Sequence, residues 1–522
     1  MTSSRRSRAR SERRAAISRS KSLPLENILL RPLPPPLIFG AESTRVNLVE
    51  AQWVLGYRFR NPRLLEEALT HSSDRAHESY QRLEFVGDAV LCLAFTNYLY
   101  LNNPRLGRGE LSALCSANVS NEKLARAEVR HGLYRFVRRN AEELDFKVEE
   151  FNWDVISEGH GEIDPMTYRG SAKKAPKVLA DIMESLAAAV YIDSGLDLEV
   201  VWKVFRSILA PITTSEAMKE QSRSALHKKR RKHRSFIQFK SSIKKTKNIM
   251  KIFVDGNGNL AGISSSKHKH IVKLNATRDM LQQHSSFDES DNTENHISCV
   301  CHHHKESFCE RGMFMCMLAK SLRLSFDVKG GPPWPNVAKV QWALGYNFCD
   351  PRLLEEALTH SSYLAHASYQ RLEFLGNATL SLAFTNYFYL NNPDIGPGEL
   401  TFLRGTNVSK EKLARAAVRL GLYRFVRCNN EELDHMVQEF SRSVTTKGHI
   451  EIDRMSYEGN TKKAPKVLAD IIKSVAAAIY IDSGLNLEIV WKVFRSILAP
   501  IITRETMKVQ SRQLYTRNPK SK

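Results

Sequence analysis

Apolar residues recur every three to four positions in four runs of the first third of the chain: Arg63 to Thr70, Arg82 to Leu101, Glu122 to His131 and Lys177 to Ile192. That spacing puts them on one helix face and predicts a helix over each run. Turn signals such as NNP and DSG separate the runs. No stretch of this part alternates convincingly between apolar and polar residues, so no strand is expected in it. A polar stretch, about Asn140 to Lys174, is expected to form a loop or a pair of extra helices.

The pattern then repeats. VLGYRFRNPRLLEEALTHSS at Val54 returns as ALGYNFCDPRLLEEALTHSS at Ala343, and KKAPKVLADI recurs unchanged. Trp53 returns as Trp342 and Asp181 as Asp470, the same offset of 289 residues. A period that long signals a tandem duplication of a whole domain rather than a solenoid unit. The expected organisation is a basic disordered arm (1–44), a first helical domain (45–215), a basic linker (216–333), a second helical domain (334–504) and a basic tail (505–522). The fold class is mainly α.

The linker differs in composition. It opens on HKKRRKHR, and two short strands around Gly256-Asn257-Gly258 are expected to make a hairpin, followed by a helix from Lys267 to Gln283. The arm is rich in Arg and Ser and then in Pro, which suits a nuclear or RNA-binding arm or an organelle transit peptide. Expected locations are therefore the nucleus or cytoplasm, with the plastid as the alternative. Lys and Arg total 77 against 56 Asp and Glu, a net charge of +21. Such a surplus argues for a polyanionic partner, nucleic acid first and an anionic membrane surface second; a basic tail on an ordinary protein is the other reading. No apolar run approaches the roughly 18 residues of a membrane span. Eight cysteines in 522 residues argue against a disulfide scaffold.

Chemistry enters with two pairs of acids. Glu84 and Asp88 in YQRLEFVGDAVL stand at i and i+4, and Asp181 and Glu184 in VLADIMESLAAAVY at i and i+3. Each pair shares one face of an otherwise apolar helix. Like charges on a buried face repel and lose hydration, which a divalent cation would offset. All-oxygen ligands suit Mg²⁺ or Mn²⁺. The other reading of either pair is ordinary surface acids on an amphipathic helix. Gly87 tilts the balance, since a helix-interior glycine costs about 1 kcal/mol relative to alanine and suggests a close helix approach beside the acids. Paired cations in such a site support in-line hydrolysis of a phosphodiester.

RLEFVGDAVL, preceded by LLEEALTHSS and followed by VLADIMESLAAAVYIDSG, resembles the ribonuclease III domain. Both repeats carry the three motifs in order, and YQRLEFVGD is similar to the plant Dicer and plant ribonuclease-III-like branch. The resemblance implies two tandem all-helical ribonuclease III domains. It implies that Glu84, Asp88, Asp181 and Glu184 ligate metal and carry catalysis, and that Glu110 in GRGELSAL is a supporting acid. Gln81 stands where the family's signature often begins with a further acid. Cleavage of double-stranded RNA, leaving 5′-phosphate and 3′-hydroxyl ends, is implied, as is the pairing of domains so that each site cuts one strand.

The second copy departs at the site. Glu373 and Asp470 keep the acids of Glu84 and Asp181, but Asn377 replaces Asp88 and Lys473 replaces Glu184. This degenerate second site is not expected to cut, and Lys473 is expected to act as an internal counter-ion. If the repeats pair within one chain, one site works and the enzyme nicks; in a homodimer of first repeats, both strands break. GISSSKHKHIVKLNATRDMLQQ resembles the closing strand and last helix of an α+β double-stranded-RNA-binding module, which places Lys267, Lys269 and Lys273 as phosphate-contacting residues; a solvated basic linker is the other reading. Cys299, Cys301, His302, His303, His304, Cys309 and Cys316 invite a zinc reading, but their spacing fits no standard finger. His71, shared as His360 by the degraded copy, reads as a packing histidine. The alternatives to an endonuclease are a non-catalytic RNA-binding factor, which need not keep the full tetrad, and a helical interaction scaffold.

Overall fold

The structure is a computed structural model of the chain and describes residues 47–157, 174–220, 237–244, 247–254, 259–266, 337–364, 366–446 and 463–506. In the first repeat the helices are α1 (Leu48–Leu55), α2 (Pro62–Ala68), α3 (Gln81–Asn102), α4 (Arg108–Val119), α5 (Asn121–His131), α6 (Glu142–Ser157), α7 (Lys177–Asp193) and α8 (Leu198–Ile208), with a 3-10 turn at Leu133–Phe136. Local chemistry sets their ends. Asn61 accepts from the Arg63 amide at 3.2 Å and Pro62 presets the first turn of α2. Ser120 and Asp197 cap α5 and α8 in the same way, and Gly56, at φ 66°, closes α1 in the left-handed conformation.

The second repeat follows the same course: α9 (Val337–Leu344), α10 (Pro351–Ala357), α11 (Gln370–Asn391), α12 (Pro397–Asn407), α13 (Lys410–Arg419), α14 (Glu431–Thr446), α15 (Lys466–Asp482) and α16 (Leu487–Ile497), with a 3-10 turn at Leu422–Phe425. The polar stretch after Asn140 forms one long helix in its first half, and residues 158–173 lie outside the described ones.

α7 is apolar on nearly every side, so it becomes the central helix. Leu179, Ile182, Met183, Leu186 and Val190 are all fully buried, each worth about 1.5–3 kcal/mol of transfer free energy. α3 packs along it, and Gly87 sets how closely. A Cβ at Gly87 would lie 1.7 Å from the Glu184 carbonyl oxygen, so the two backbones touch there. Gly376 makes the same approach to the Lys473 carbonyl, also at 1.7 Å.

The repeats pack on each other through α3 and α11. Arg82 donates to the carbonyls of Asn392 at 3.0 Å and Tyr389 at 3.3 Å, and also to Ile395. Arg371 reciprocates on Asn103 at 2.7 Å, Leu106 at 2.6 Å and Tyr100 at 2.8 Å. Each guanidinium thus satisfies free carbonyls at the C-terminal end of the other repeat's long helix. Asn97 donates to the Tyr480 hydroxyl at 3.0 Å and Asn386 to the Tyr191 hydroxyl at 2.9 Å, a second reciprocal pair.

In the linker, β1 (Ile237–Lys244), β2 (Lys247–Val254) and β3 (Asn259–Ser266) form one antiparallel sheet in that order. Val254 faces Asn259 in register, so the expected pairing across residues 256–258 is present, and β1 adds a strand that the sequence pattern did not suggest. The residues 1–44, the helix expected over 267–283 with Lys267, Lys269 and Lys273, the Cys/His cluster at 299–316, and the end of the tail from 507 lie outside the described residues. Among the described residues, no helix is long and apolar enough to cross a membrane.

Candidate metal centre

Glu84 projects from the first turn of α3, and Asp181 and Glu184 from successive turns of α7. The close approach at Gly87 brings these faces together. One carboxylate oxygen from each of Glu84, Asp181 and Glu184 lies within 4.8 Å of the others. Among the described residues no other such group of acidic, His or Cys side chains occurs. Asp88, the fourth acid of the expected tetrad, stands one turn further along α3 and is not in this group. Its side chain is 58% exposed and lies 3.7 Å from the Arg404 guanidinium.

The electrostatics of the trio are unfavourable without a cation. Burial, reinforced by the charges of Asp88, Asp181 and Glu84, pushes the Glu184 carboxyl up to about 9. Burial also raises Asp181 to about 6, although Lys177 opposes the shift. The Lys177 ammonium donates to Glu84 at 2.6 Å and to Asp181 at 2.8 Å. Burial works against its charge, but those two bonds win and hold it above the ordinary lysine range. Three oxygen donors, crowded so that burial and their mutual repulsion raise the Asp181 and Glu184 carboxyls, form a hard, anionic ligand set of the kind that fits Mg²⁺ or Mn²⁺.

Glu110 sits in the first turn of α4 and accepts from the Gly107 amide at 3.1 Å, a helix-capping contact outside the trio. His71 lies 2.9 Å from the Ser73 hydroxyl through Nδ1, which also accepts from the Ser73 amide at 3.1 Å. His360 makes the same pair of bonds with Ser362. Two residues of the site went unread in the sequence. Lys177 stands at i and i+4 with Asp181, a legible helical ion pair. Arg404 comes from α12 of the other repeat; its guanidinium lies 4.8 Å over the Phe85 ring and it donates to Thr385 at 3.3 Å.

The second copy keeps the scaffold but fills the site with cations. Glu373 is 1% exposed and Asp470 6%. Lys473, in the place of Glu184, lies 3.7 Å from Glu373. Lys466 pairs with Asp470, and Arg108 of the first repeat pairs with Glu373. Lys473 therefore neighbours one of the two surviving acids, while Lys466 pairs with the other. Asn377, where the first repeat has Asp88, supplies no charge.

The sequence profile of the Ribonuclease III domain matches residues 81–195 and 370–484. Ribonuclease 3-like protein 2 of Oryza sativa subsp. japonica is 51% identical over 253 residues, which is 48% of this chain and 78% of that protein. Ribonuclease 3-like protein 3 of Arabidopsis thaliana is 28% identical over an alignment of 607 positions that takes in 90% of this chain and 61% of that protein. Among solved structures, the nuclease domain of ribonuclease III from Campylobacter jejuni is 26% identical with a TM-score of 0.25, covering 33% of this chain and all of that domain, 100%.

Proposed function

The chain belongs to the ribonuclease III family, and from that premise we propose that it is a divalent-metal-dependent endoribonuclease that cuts one strand of double-stranded RNA per binding event. The observation that carries this is the contrast between the repeats: three carboxylates converge in the first, and lysines and an arginine occupy the same place in the second. Glu84, Asp181 and Glu184 would hold the cation, with Asp88 within reach of its outer contacts. When bound, Mg²⁺ or Mn²⁺ supplies Lewis-acid activation of phosphodiester hydrolysis, leaving 5′-phosphate and 3′-hydroxyl ends.

The chain's own groups prepare that chemistry. Lys177 pairs with both Glu84 and Asp181 and balances part of their charge. The backbone contact at Gly87 fixes the spacing of the two acid-bearing helices. Arg404 stands 3.7 Å from the Asp88 carboxylate across the interface, so the second repeat lends a cation to the edge of the working site although it does not cut. The working unit is the pair formed within one chain through α3 and α11 rather than a homodimer of first repeats.

The test is cleavage of a long end-labelled RNA duplex with Mg²⁺, run on native and denaturing gels. Nicks visible only on denaturing gels are expected. Breaks of both strands would favour a homodimer of first repeats, and an intact duplex that is bound across Mg²⁺ and Mn²⁺ would favour a binding factor.

A pH dependence follows from the site's acids. Both Asp181 and Glu184 have raised values, so without metal the fold favours their neutral forms. That contribution is complete below their ordinary range near 4 and is lost as pH climbs through about 6 and then about 9. A cation binds the ionised forms and reverses the loss. Mn²⁺ should therefore raise the melting temperature more at about pH 8.5 than at about pH 6. Equal shifts at both pH values, by differential scanning calorimetry, would remove these two carboxylates from the cation site.

A further inference from the structure

Two acids survive in the second repeat at positions where no oxygen cluster remains to hold a metal. Glu373 and Asp470 are nearly sealed from solvent, and a buried carboxylate must be paired to be tolerated. Lys466 serves Asp470, as Lys177 serves Asp181 in the first repeat. Glu373 has a different partner: Arg108, at the start of α4 in the opposite repeat. The residue at the equivalent place in α12 is Pro397, which offers the first site no charge. Arg108 therefore has no counterpart in the second repeat. Arg108 enters the second site, whereas the cation that the second repeat sends back, Arg404, lies 3.7 Å from Asp88, outside the carboxylate trio of the first.

We infer that the degraded site of the second repeat is a docking socket for Arg108, whose guanidinium takes a metal's place against Glu373 and ties the two repeats together. Retention of Glu373 beside the loss of Asp88's and Glu184's equivalents then has a reason: the socket needs one deep acid, not four. Lys473, 3.7 Å from the same carboxylate, adds a second cation beside it. A second consequence is that Asn377→Asp with Lys473→Glu does not by itself restore a metal site, because Arg108 still occupies it. This second consequence alone rests on reading the first-repeat trio as a metal site.

The deciding experiment is a double-mutant cycle on the full chain, Arg108→Gln and Glu373→Gln, read by urea unfolding. The socket predicts that the double variant is little worse than Glu373→Gln alone. The coupling should correspond to at least about a five-fold change in the folding equilibrium. Strictly additive losses overturn it. A Mn²⁺ titration by calorimetry runs beside it. Asn377→Asp/Lys473→Glu should bind no more Mn²⁺ than wild type. Adding Arg108→Gly should create one further site, lost again with Asp470→Asn. A further site already present before Arg108 is changed, or none in a folded triple variant, overturns the socket. If wild type itself binds no Mn²⁺, the function proposed above fails, and the unfolding cycle still decides the role of Arg108.

Discussion

Glu184→Gln is expected to lower cleavage of a long RNA duplex by at least about 100-fold, since even outer-shell changes around a metal commonly cost 10–100-fold. The substitution keeps size and shape. In the metal-free protein it mimics a carboxyl that burial already keeps protonated to about pH 9. The fold should therefore survive: the melting temperature without metal should stay at or above wild type, while the stabilisation given by Mn²⁺ shrinks or disappears. This pairing of outcomes separates a ligand from a packing residue. Cleavage near the wild-type rate by a variant that no longer responds to Mn²⁺ would detach the trio from the chemistry. An unchanged Mn²⁺ response would show that Glu184 is not a ligand.

Gly87→Ala should be the most damaging single-methyl change in the first repeat. The new Cβ would lie 1.7 Å from the Glu184 carbonyl oxygen and 2.3 Å from its carbon. Both are backbone atoms at the centre of α7, so no side chain can swing away. α3 and α7 would have to part along the whole contact. Overpacking usually costs about 1–3 kcal/mol; a backbone clash of this depth belongs above that range, against a total stability of about 5–15 kcal/mol. Gly109, in α4, is the control: a Cβ there meets nothing within 4 Å. Gly109→Ala should be neutral or stabilising by up to about 1 kcal/mol, as expected for an unobstructed glycine in the first turn of a helix. Soluble yield and circular-dichroism melts would compare the two. If Gly87→Ala melts alongside Gly109→Ala, the close approach of the helices is wrong.

The helices and the acids were legible in the chain because both are local. A 3.6-residue period fixes which side chains share a face, so α3 and α7 and their acids could be read from short windows, and Gly87 betrayed the approach by its cost. The 289-residue offset then carried every assignment from the first repeat to the second. Arg82, Arg371, Arg108 and Arg404 could not be read that way. Each acts on residues hundreds of positions away, and an arginine on an amphipathic helix looks the same whether it meets water or another domain. β1 was missed for a different reason. Its alternation, Ile237, Phe239 and Ile243 against polar neighbours, is short and follows a dense run of charge that masks it.

The clamps of Arg82 and Arg371 are near mirror images. These two clamps treat both repeats alike, and the Arg108 contact selects a second repeat without selecting whose, so concentration chooses between joining within a chain and joining between chains. The covalent connection over residues 216–333 makes pairing of the two repeats an intramolecular event, at an effective concentration on the order of a millimolar. Exchange between molecules would compete only when the protein itself approaches that level. At the far lower concentrations of an assay, the share of single cuts should stay constant on dilution, and the intact repeat would always be partnered with the degraded one.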